Sequence, residues 1–284
     1  MIEFWIILTG VLVGITCSLA GVFLILRKMS MMADAISHTV LFGIVLSFLI
    51  TQALSGIGMI IGAIVAGLLT AFLIQTLQSS NIQEDAAIGL IFTTLFAIGV
   101  LLITLYAGNV HLDVEHVLMG EIAFVPWDKL TILSITMPKA VWMLSLVLII
   151  DICYLALFFK ELKLSTFDPV YAATVGLPLV FLHYSFMTMI SLTTVASFDS
   201  VGAILVVAML VAPAASAYLI SRSVVEMIGF SVTFGIISAI VGYYLAKLFD
   251  TSISGMMAVT LGGIFIIVFC RQKWQQHKQK TNLT

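Results

Sequence analysis

Charged side chains are scarce in this 284-residue sequence: Asp, Glu, Lys and Arg make up 9% of it, whereas hydrophobic residues make up 62%. Soluble domains carry about 25% charged and roughly 45 to 50% apolar residues, so most of this chain must be surrounded by something other than water. A membrane-spanning helix takes about 20 residues, and eight or nine of them would use nearly the whole length. We therefore expect a single transmembrane domain over residues 1–284, without a separate soluble domain.

Sequence motifs of catalysis and nucleotide binding are also missing. The chain has no G-x-x-x-x-G-K-[ST] loop, no H-E-x-x-H and no G-x-S-x-G, which excludes the common ATPase, metalloprotease and serine hydrolase signatures. Its three cysteines lie far apart in apolar runs, so they indicate neither a disulfide framework nor a C-x-x-C metal site. We expect a protein that is not an enzyme, binds no nucleic acid and leaves any ATP chemistry to a partner.

Apolar runs predict an all-α, multi-pass membrane protein. The predicted spans are 4–26, 33–54, 57–77, 86–107, 139–159, 178–197, 201–220, 227–248 and 253–270. The second span opens with Asp34 and His38, which suggests that part of it is broken or re-entrant. Eight full spans are therefore an alternative to nine.

Basic residues predict the orientation of these helices. Placing the 160–176 loop in the cytoplasm puts nine of the twelve basic residues inside, as the positive-inside rule requires. The inside set is Arg27, Lys28, Lys160, Lys163, Arg222, Arg271, Lys273, Lys278 and Lys280, and the outside set is Lys129, Lys139 and Lys247. The N-terminus is then outside, and the tail 271–284 is cytoplasmic.

Proline is rare, and of the five only Pro213 falls in the middle of a predicted span. Its ring removes one backbone hydrogen bond, so a kink or break is expected there. Small residues around Pro213, and others between Gly58 and Gly67, favour close helix packing.

The pair Asp34 and His38 is the most informative polar feature. A spacing of four places a carboxylate and an imidazole on one helix face about one turn apart, which suits a divalent cation. Ionisable groups at membrane depth are costly and by default functional. The alternative is structural, with Asp34 capping the helix and His38 packed against a neighbour.

Other polar residues are weaker candidates for cation ligands. The loop assigned outside contains His116 and Glu121, although docking of an external partner explains its polarity better. Asp199 either caps the following helix or collects cations at the outer mouth, and the cap is favoured. His183 is more simply explained as a packing residue.

The stretch KELKLSTFDPVYAATVGLP is predicted to contain a short cytoplasmic helix. Thr166 or Asp168 can cap its start, and Pro169 suits its first turn. Gly176 and Pro178 are typical of residues that end one helix and begin the next. A firm contact for another protein and an ordinary amphipathic connector both fit this pattern.

Three stretches in this order resemble the manganese/zinc/iron permease family of ABC importers: RKMSMMADAISHTVLFG, FDPVYAATVGLP and SVGAILVVAMLVAPAASAYLI. HVLMGEIAFVPW resembles the manganese-type branch. The resemblance covers nearly the whole chain and implies the fold of vitamin B12 and siderophore importers. It places Asp34 and His38 at the positions associated with cation handling.

The resemblance further implies a bacterial plasma-membrane homodimer that binds two cytoplasmic ATPase subunits and receives its cation from an extracellular metal-binding lipoprotein. Manganese is the favoured cargo, with zinc or iron as alternatives, and no cofactor is bound permanently. The coupling helix, which enters a cleft of the ATPase, would lie in the loop 160–178. Its contact residues would be Phe167, Asp168, Pro169, Tyr171, Gly176, Leu177 and Pro178. A proton-driven secondary metal transporter is the rival hypothesis from another class.

Overall fold

The computed structural model describes residues 2–51, 57–80, 82–106, 122–132 and 135–281. Within these ranges the chain forms ten α-helices. They are α1 Ile2–Leu26, α2 Ser30–Thr51, α3 Ile57–Ser79, α4 Glu84–Tyr106, α5 Lys139–Phe167, α6 Pro169–Thr174, α7 Leu179–Val201, α8 Ala203–Tyr218, α9 Val224–Phe249 and α10 Ile253–Thr281. Between α4 and α5 lie a 3-10 helix, Ile122–Trp127, and an antiparallel hairpin of β1 Lys129–Ile132 and β2 Ile135–Pro138. This small hairpin is an addition to the predicted all-α architecture.

Eight of the described helices are long and apolar enough to cross a membrane, and α8, with 16 residues, is shorter. The expected irregularity in the second span is wrong, because α2 is a continuous helix of 22 residues. Its hydroxyl groups do not compete with the helix: Ser37 and Thr39 donate to the carbonyls of Ala33 and Ala35, four residues earlier. Gly202, with a φ of 80°, separates α7 from α8, close to the boundary between the predicted spans 178–197 and 201–220.

Contacts between helix ends show which termini share a side of the bundle. Arg27, after α1, donates to the hydroxyls of Ser165 and Thr166 at the end of α5. One pocket joins the end of α1 and α5 to Tyr218 and Arg222, so the end of α8 lies on the same side. At the opposite side, Lys247 of α9 donates to Glu3 of α1 over 2.6 Å. The ends of α1, α5 and α8 thus lie at one side of the bundle, and the start of α1 and the end of α9 lie at the other, as the predicted spans require.

The centre of the bundle is α1, which packs against α5, α7, α8 and α9. Its middle is fully buried, whereas α4, α5 and α10 leave most of their apolar surface exposed to the surroundings. In lipid, helices associate through close packing rather than through hydrophobic burial, and small residues permit that approach. At the contact of α2 with α3, Gly43 and Gly62 face each other so closely that a Cβ on Gly62 would lie 2.6 Å from the carbonyl oxygen of Gly43.

Gly62→Ala is therefore expected to destabilise the bundle by about 1 to 3 kcal/mol, the usual cost of overpacking. Thermal unfolding of the detergent-solubilised protein measures this loss. Gly229→Ala is the matched control, because a Cβ at Gly229 meets no atom within 4 Å. Equal unfolding temperatures for the two variants would contradict the close α2–α3 contact.

Two further features concern helix continuity. Pro213 lies inside α8, which continues from Ala203 to Tyr218, so the proline does not end the helix. A backbone irregularity that the sequence does not predict occurs in α5, where Phe158 has a φ of −105° and a ψ of 15°. Neither proline nor glycine lies within one turn of Phe158. The bend in α5 therefore has no local sequence signal.

Candidate cation site and coupling surface

Asp34 and His38 lie in the first three turns of α2, on the side of the bundle where α1 ends. Their i, i+4 spacing brings Nε2 of His38 to 3.4 Å from Oδ1 of Asp34. The two side chains remain partly accessible, with 33% of His38 and 38% of Asp34 exposed. Residues on either side of them, Ala33, Ala35 and Ser37, are fully buried. The helix thus presents one carboxylate and one imidazole side by side on a partly accessible face.

The orientation of His38 is set by α4. Its ring lies 5.6 Å from the ring of Phe92 and 5.9 Å from that of Phe96, measured between centroids. Phe92 and Phe96 are themselves one turn apart, so both reach the same face of α4. Neither phenylalanine is among the residues predicted for the site, although their i, i+4 spacing matches that of Asp34 and His38. The phenyl rings limit the rotation of the imidazole and hold it beside the carboxylate.

The separation of the two ligand atoms suits a shared cation. For an ion bound roughly 2.0 to 2.2 Å from both atoms, the angle Oδ1–ion–Nε2 would be about 100 to 115°. That range includes tetrahedral coordination and is slightly wider than an octahedral right angle. Across the described part of the chain, no group of three or more His, Cys, Asp or Glu side chains could hold a metal. The described residues thus offer this site two protein ligands, Asp34 and His38.

The weaker candidates lie elsewhere. Asp199 is exposed in the last turn of α7, and Gly202 rather than Asp199 is the N-cap of α8. His183 lies in the first turns of α7, in a pocket that also contains Arg27 and Lys28. Positive neighbours oppose the binding of a cation, so this position does not suit a metal ligand. His116 and Glu121 fall outside the described residues.

Asp151, in the middle of α5, is the one fully buried carboxylate among the described side chains. Thr193 of α7 donates a hydrogen bond of 2.8 Å to its Oδ2, while Oδ1 has no partner within the described structure. This contact joins α5 to α7 in the membrane interior. It lies apart from the helix pair that carries His38 and Phe92.

The short helix α6 forms as the sequence predicts. Asp168 is its N-cap and accepts a hydrogen bond of 2.9 Å from the backbone N–H of Tyr171, with Pro169 in the first turn. Of the two capping candidates, Thr166 instead donates to the carbonyl of Leu162 and accepts from Arg27. Gly176, with a φ of 85°, ends the helix in the left-handed conformation.

The outward face of α6 is apolar although it lies outside the predicted spans. Val170 is 74% exposed and Tyr171 is 55% exposed, while Phe167 and Val175 beside them are also exposed. Ala172 alone points inward and is buried. Exposed apolar groups gathered on one surface mark a site of contact with another protein or with a membrane. We call this set of four exposed residues the coupling surface.

The family model of the ABC 3 transport family matches residues 2–272. The chain belongs to the ABC 3 transport family. This family membership confirms the kind of permease predicted from the sequence motifs. The chain is thus a multi-pass membrane subunit of an ABC transporter, not its ATPase. As such a subunit it works with an ATPase and a binding protein.

Three relatives within this group of permeases align over most of the chain. The manganese transport system membrane protein MntD of Bacillus subtilis is 54% identical over 268 residues, which cover 94% of this chain and 91% of that protein. The zinc transport system membrane protein TroD of Treponema pallidum is 41% identical and covers 93% and 72%. The manganese import system permease protein ScaB of Streptococcus gordonii is 34% identical and covers 96% and 94%.

Two solved structures share the fold of this ABC 3 permease. PsaBC from Streptococcus pneumoniae, in complex with Fab, has a TM-score of 0.80 and 34% identity, covering 96% of this chain and 94% of that chain. A metal-chelate type ABC transporter in an inward-facing conformation has a TM-score of 0.67 and 18% identity, covering 94% and 85%. The predicted ABC importer architecture is confirmed.

Proposed function

We propose that this permease belongs to an importer whose cargo is Mn²⁺, and that Asp34 and His38 are transient ligands of the ion. The observation that carries the proposal is the 3.4 Å separation of Nε2 and Oδ1 on a partly accessible helix face. A carboxylate with an imidazole suits a borderline divalent metal. A transported ion must also leave, so two protein ligands per chain are more suitable than a closed cage. The names of MntD and ScaB, both manganese systems, support this cargo.

Zinc is the second candidate cargo. The same ligand pair is common in zinc sites, and TroD is named as part of a zinc transport system. Iron is compatible with the ligand chemistry alone. Because two ligands discriminate weakly between these ions, the selection of cargo would depend largely on the binding protein.

The proposed assembly is a homodimer with two ATPase subunits in the cytoplasm and a metal-binding lipoprotein outside. Arg27, Lys28, Lys163 and Arg222 lie at one end of the bundle, and Lys247 lies at the other. The positive-inside rule supports a cytoplasmic location for the first end. The N-terminus is then outside and the C-terminal helix ends inside. A dimer twofold would bring a second Asp34 and His38 pair into the same assembly.

Coupling between ATP hydrolysis and the cation site would run through α6. The coupling surface docks on the ATPase, and Asp168 fixes the helix to the end of α5. Arg27 bonds the last turn of α5, at Ser165 and Thr166, and directly precedes the turn into α2. A displacement of α6 is thereby passed to the helix that carries Asp34. This short route supports a mechanism of alternating access.

The permease and its ATPase, reconstituted in proteoliposomes, are expected to accumulate Mn²⁺ only when ATP and the binding protein are supplied. Radioactive Mn²⁺ uptake, with Zn²⁺ and Fe²⁺ as competitors, measures both the dependence on ATP and the cargo. The permease without ATPase is the matched control and should show no uptake. Uptake driven by a proton gradient in that control would support the secondary transporter instead.

A further inference from the structure

A cationic pocket opens at the Arg27 end of the bundle, between the ends of α1, α3, α5 and α7. Its volume is about 450 Å³ and its polar lining includes Arg27, Lys28, Gln75, Ser165, Thr166 and His183. Lys28 lies in the turn that closes α1, with a left-handed φ of 61°. The backbone N–H of Met29 donates to the carbonyl of Leu24 in this turn, which fixes its shape. The turn thus fixes the backbone of Lys28 beside Arg27, whose guanidinium is held by Ser165 and Thr166.

Polar groups in this cationic pocket lack partners. The guanidinium of Arg27 bonds two hydroxyls and lies over the ring of Phe186, yet no carboxylate of the described chain pairs with it. Nε2 of His183 and Oε1 of Gln75 are buried without a hydrogen-bond partner in the described structure. Buried polar groups are normally satisfied. Oε1 of Gln75 can only accept a hydrogen bond and so does not favour an anion. The positive charges of Arg27 and Lys28, which have no carboxylate partner in the described structure, are what indicate a ligand that carries negative charge.

An apolar groove of about 860 Å³ runs from the same region into the membrane, along α3, α5 and α7. Each helix contributes to both features: Gln75 of α3 and His183 of α7 line the cationic pocket, whereas Phe72 and Tyr184 line the groove. From Val180 at the pocket to Leu192 at the far end of the groove, α7 rises by about 18 Å. One leaflet of a bilayer core is about 15 Å deep.

We propose that the cationic pocket and the apolar groove together bind one anionic phospholipid of the cytoplasmic leaflet. Its phosphate lies between Arg27 and Lys28, within reach of His183, and an acyl chain occupies the groove. Basic pockets between helices on the cytoplasmic side attract anionic headgroups, at about 1 kcal/mol for each Lys or Arg. The assignment to the cytoplasmic leaflet rests on the orientation given under Proposed function. Bound there, the lipid would brace α1 and α5 beside the coupling helix.

The test uses the complex of permease and ATPase in detergent, titrated with phosphatidylglycerol or phosphatidylcholine and followed by native mass spectrometry. We expect one phosphatidylglycerol per permease to bind in preference to phosphatidylcholine. Lys28→Asn should weaken this binding about fivefold, as loss of one charge predicts. Asparagine tolerates the left-handed backbone of this turn, so the fold is kept. Lys160→Asn is the matched control, because Lys160 is exposed near the end of α5 and does not line the pocket.

The groove is tested by Leu69→Trp, which fills it, against Ile61→Trp, an exposed position of α3 outside it. Only the first should lower phosphatidylglycerol binding. Equal binding of both lipids, or saturation by inorganic phosphate alone without an effect of Leu69→Trp, would overturn the lipid assignment. So would loss of the permease dimer in Leu69→Trp, which would make the groove an interface between copies. Loss of ATPase binding in Lys28→Asn with lipid binding unchanged would assign the pocket to the ATPase instead.

The outcome is independent of the cargo. Lipid binding is measured without Mn²⁺ and without turnover, so a permease that fails to carry manganese would still show the phosphatidylglycerol preference. Conversely, Lys28→Asn and Leu69→Trp leave Asp34 and His38 untouched. The two proposals can therefore fail separately.

Discussion

Asp34→Asn and His38→Ala should each abolish manganese uptake while leaving the transporter assembled. Asparagine keeps the size of the aspartate but removes the charge that balances the cation, and alanine removes the imidazole nitrogen. Loss of an outer partner of a metal ligand already costs roughly 10- to 100-fold in affinity or activity, and loss of a direct ligand from a two-ligand site should cost at least as much. Initial rates of ATP-dependent Mn²⁺ uptake in proteoliposomes measure the effect.

The control for this prediction is Asp199→Asn. Like Asp34→Asn, it removes the charge of an accessible carboxylate, but at the far end of α7. It should transport nearly normally. Co-purification of the ATPase with every variant confirms that assembly is intact. Near-normal uptake by both Asp34→Asn and His38→Ala would contradict the proposed cation site. A loss in Asp199→Asn as large as in Asp34→Asn would place a further ligand at the mouth.

Much of this arrangement follows from local sequence. Apolar runs predict the positions of the helices, because a chain in the bilayer must satisfy its backbone hydrogen bonds internally. Few structures other than the α-helix can do so. Asp34 and His38 were recognisable because both lie on one helix, where a spacing of four fixes their neighbourhood. The turn at Asp168, Pro169 and Gly176 was equally readable, since each residue satisfies a local backbone requirement.

Features that depend on contacts between helices were not readable from the sequence. Phe92 and Phe96 reach His38 only because α4 packs beside α2. No local feature of the sequence predicts that these two helices are neighbours. An interruption is expected near Asp34, where polar residues suggest it, yet α2 is continuous through Asp34 and His38. The polar side chains of α2 satisfy their hydrogen bonds within the helix, so polarity there does not imply a break.

The cationic pocket shows the same limit more clearly. In the sequence His183 stands alone, and a lone histidine at a helix start indicates packing. In the structure it lies with Arg27 and Lys28 from the end of α1 and with Gln75 of α3. The positive charges of Arg27 and Lys28 change the expected ligand from a cation to an anion.

Tyr171→Ala should weaken binding of the ATPase and abolish ATP-driven uptake. Tyr171 is 55% exposed in the coupling surface, and truncation of an aromatic anchor in a protein interface commonly costs 2 kcal/mol or more, about 30-fold in affinity. Tyr244→Ala is the matched control, because Tyr244 is 57% exposed near the Glu3 end of the bundle. Titration of the ATPase onto permease in nanodiscs measures both affinities.

Gly176 separates the shape of α6 from its surface chemistry. Gly176→Pro cannot adopt the φ of 85° and removes the N–H that donates to the carbonyl of Ala173, so it should distort α6 and release the ATPase. Asparagine tolerates the left-handed conformation, so Gly176→Asn should still bind the ATPase. If Gly176→Pro and Tyr171→Ala both bind the ATPase as tightly as the unchanged permease, α6 is not the docking element. If only Tyr171→Ala binds weakly, the side chain carries the contact and the helix end is free to vary.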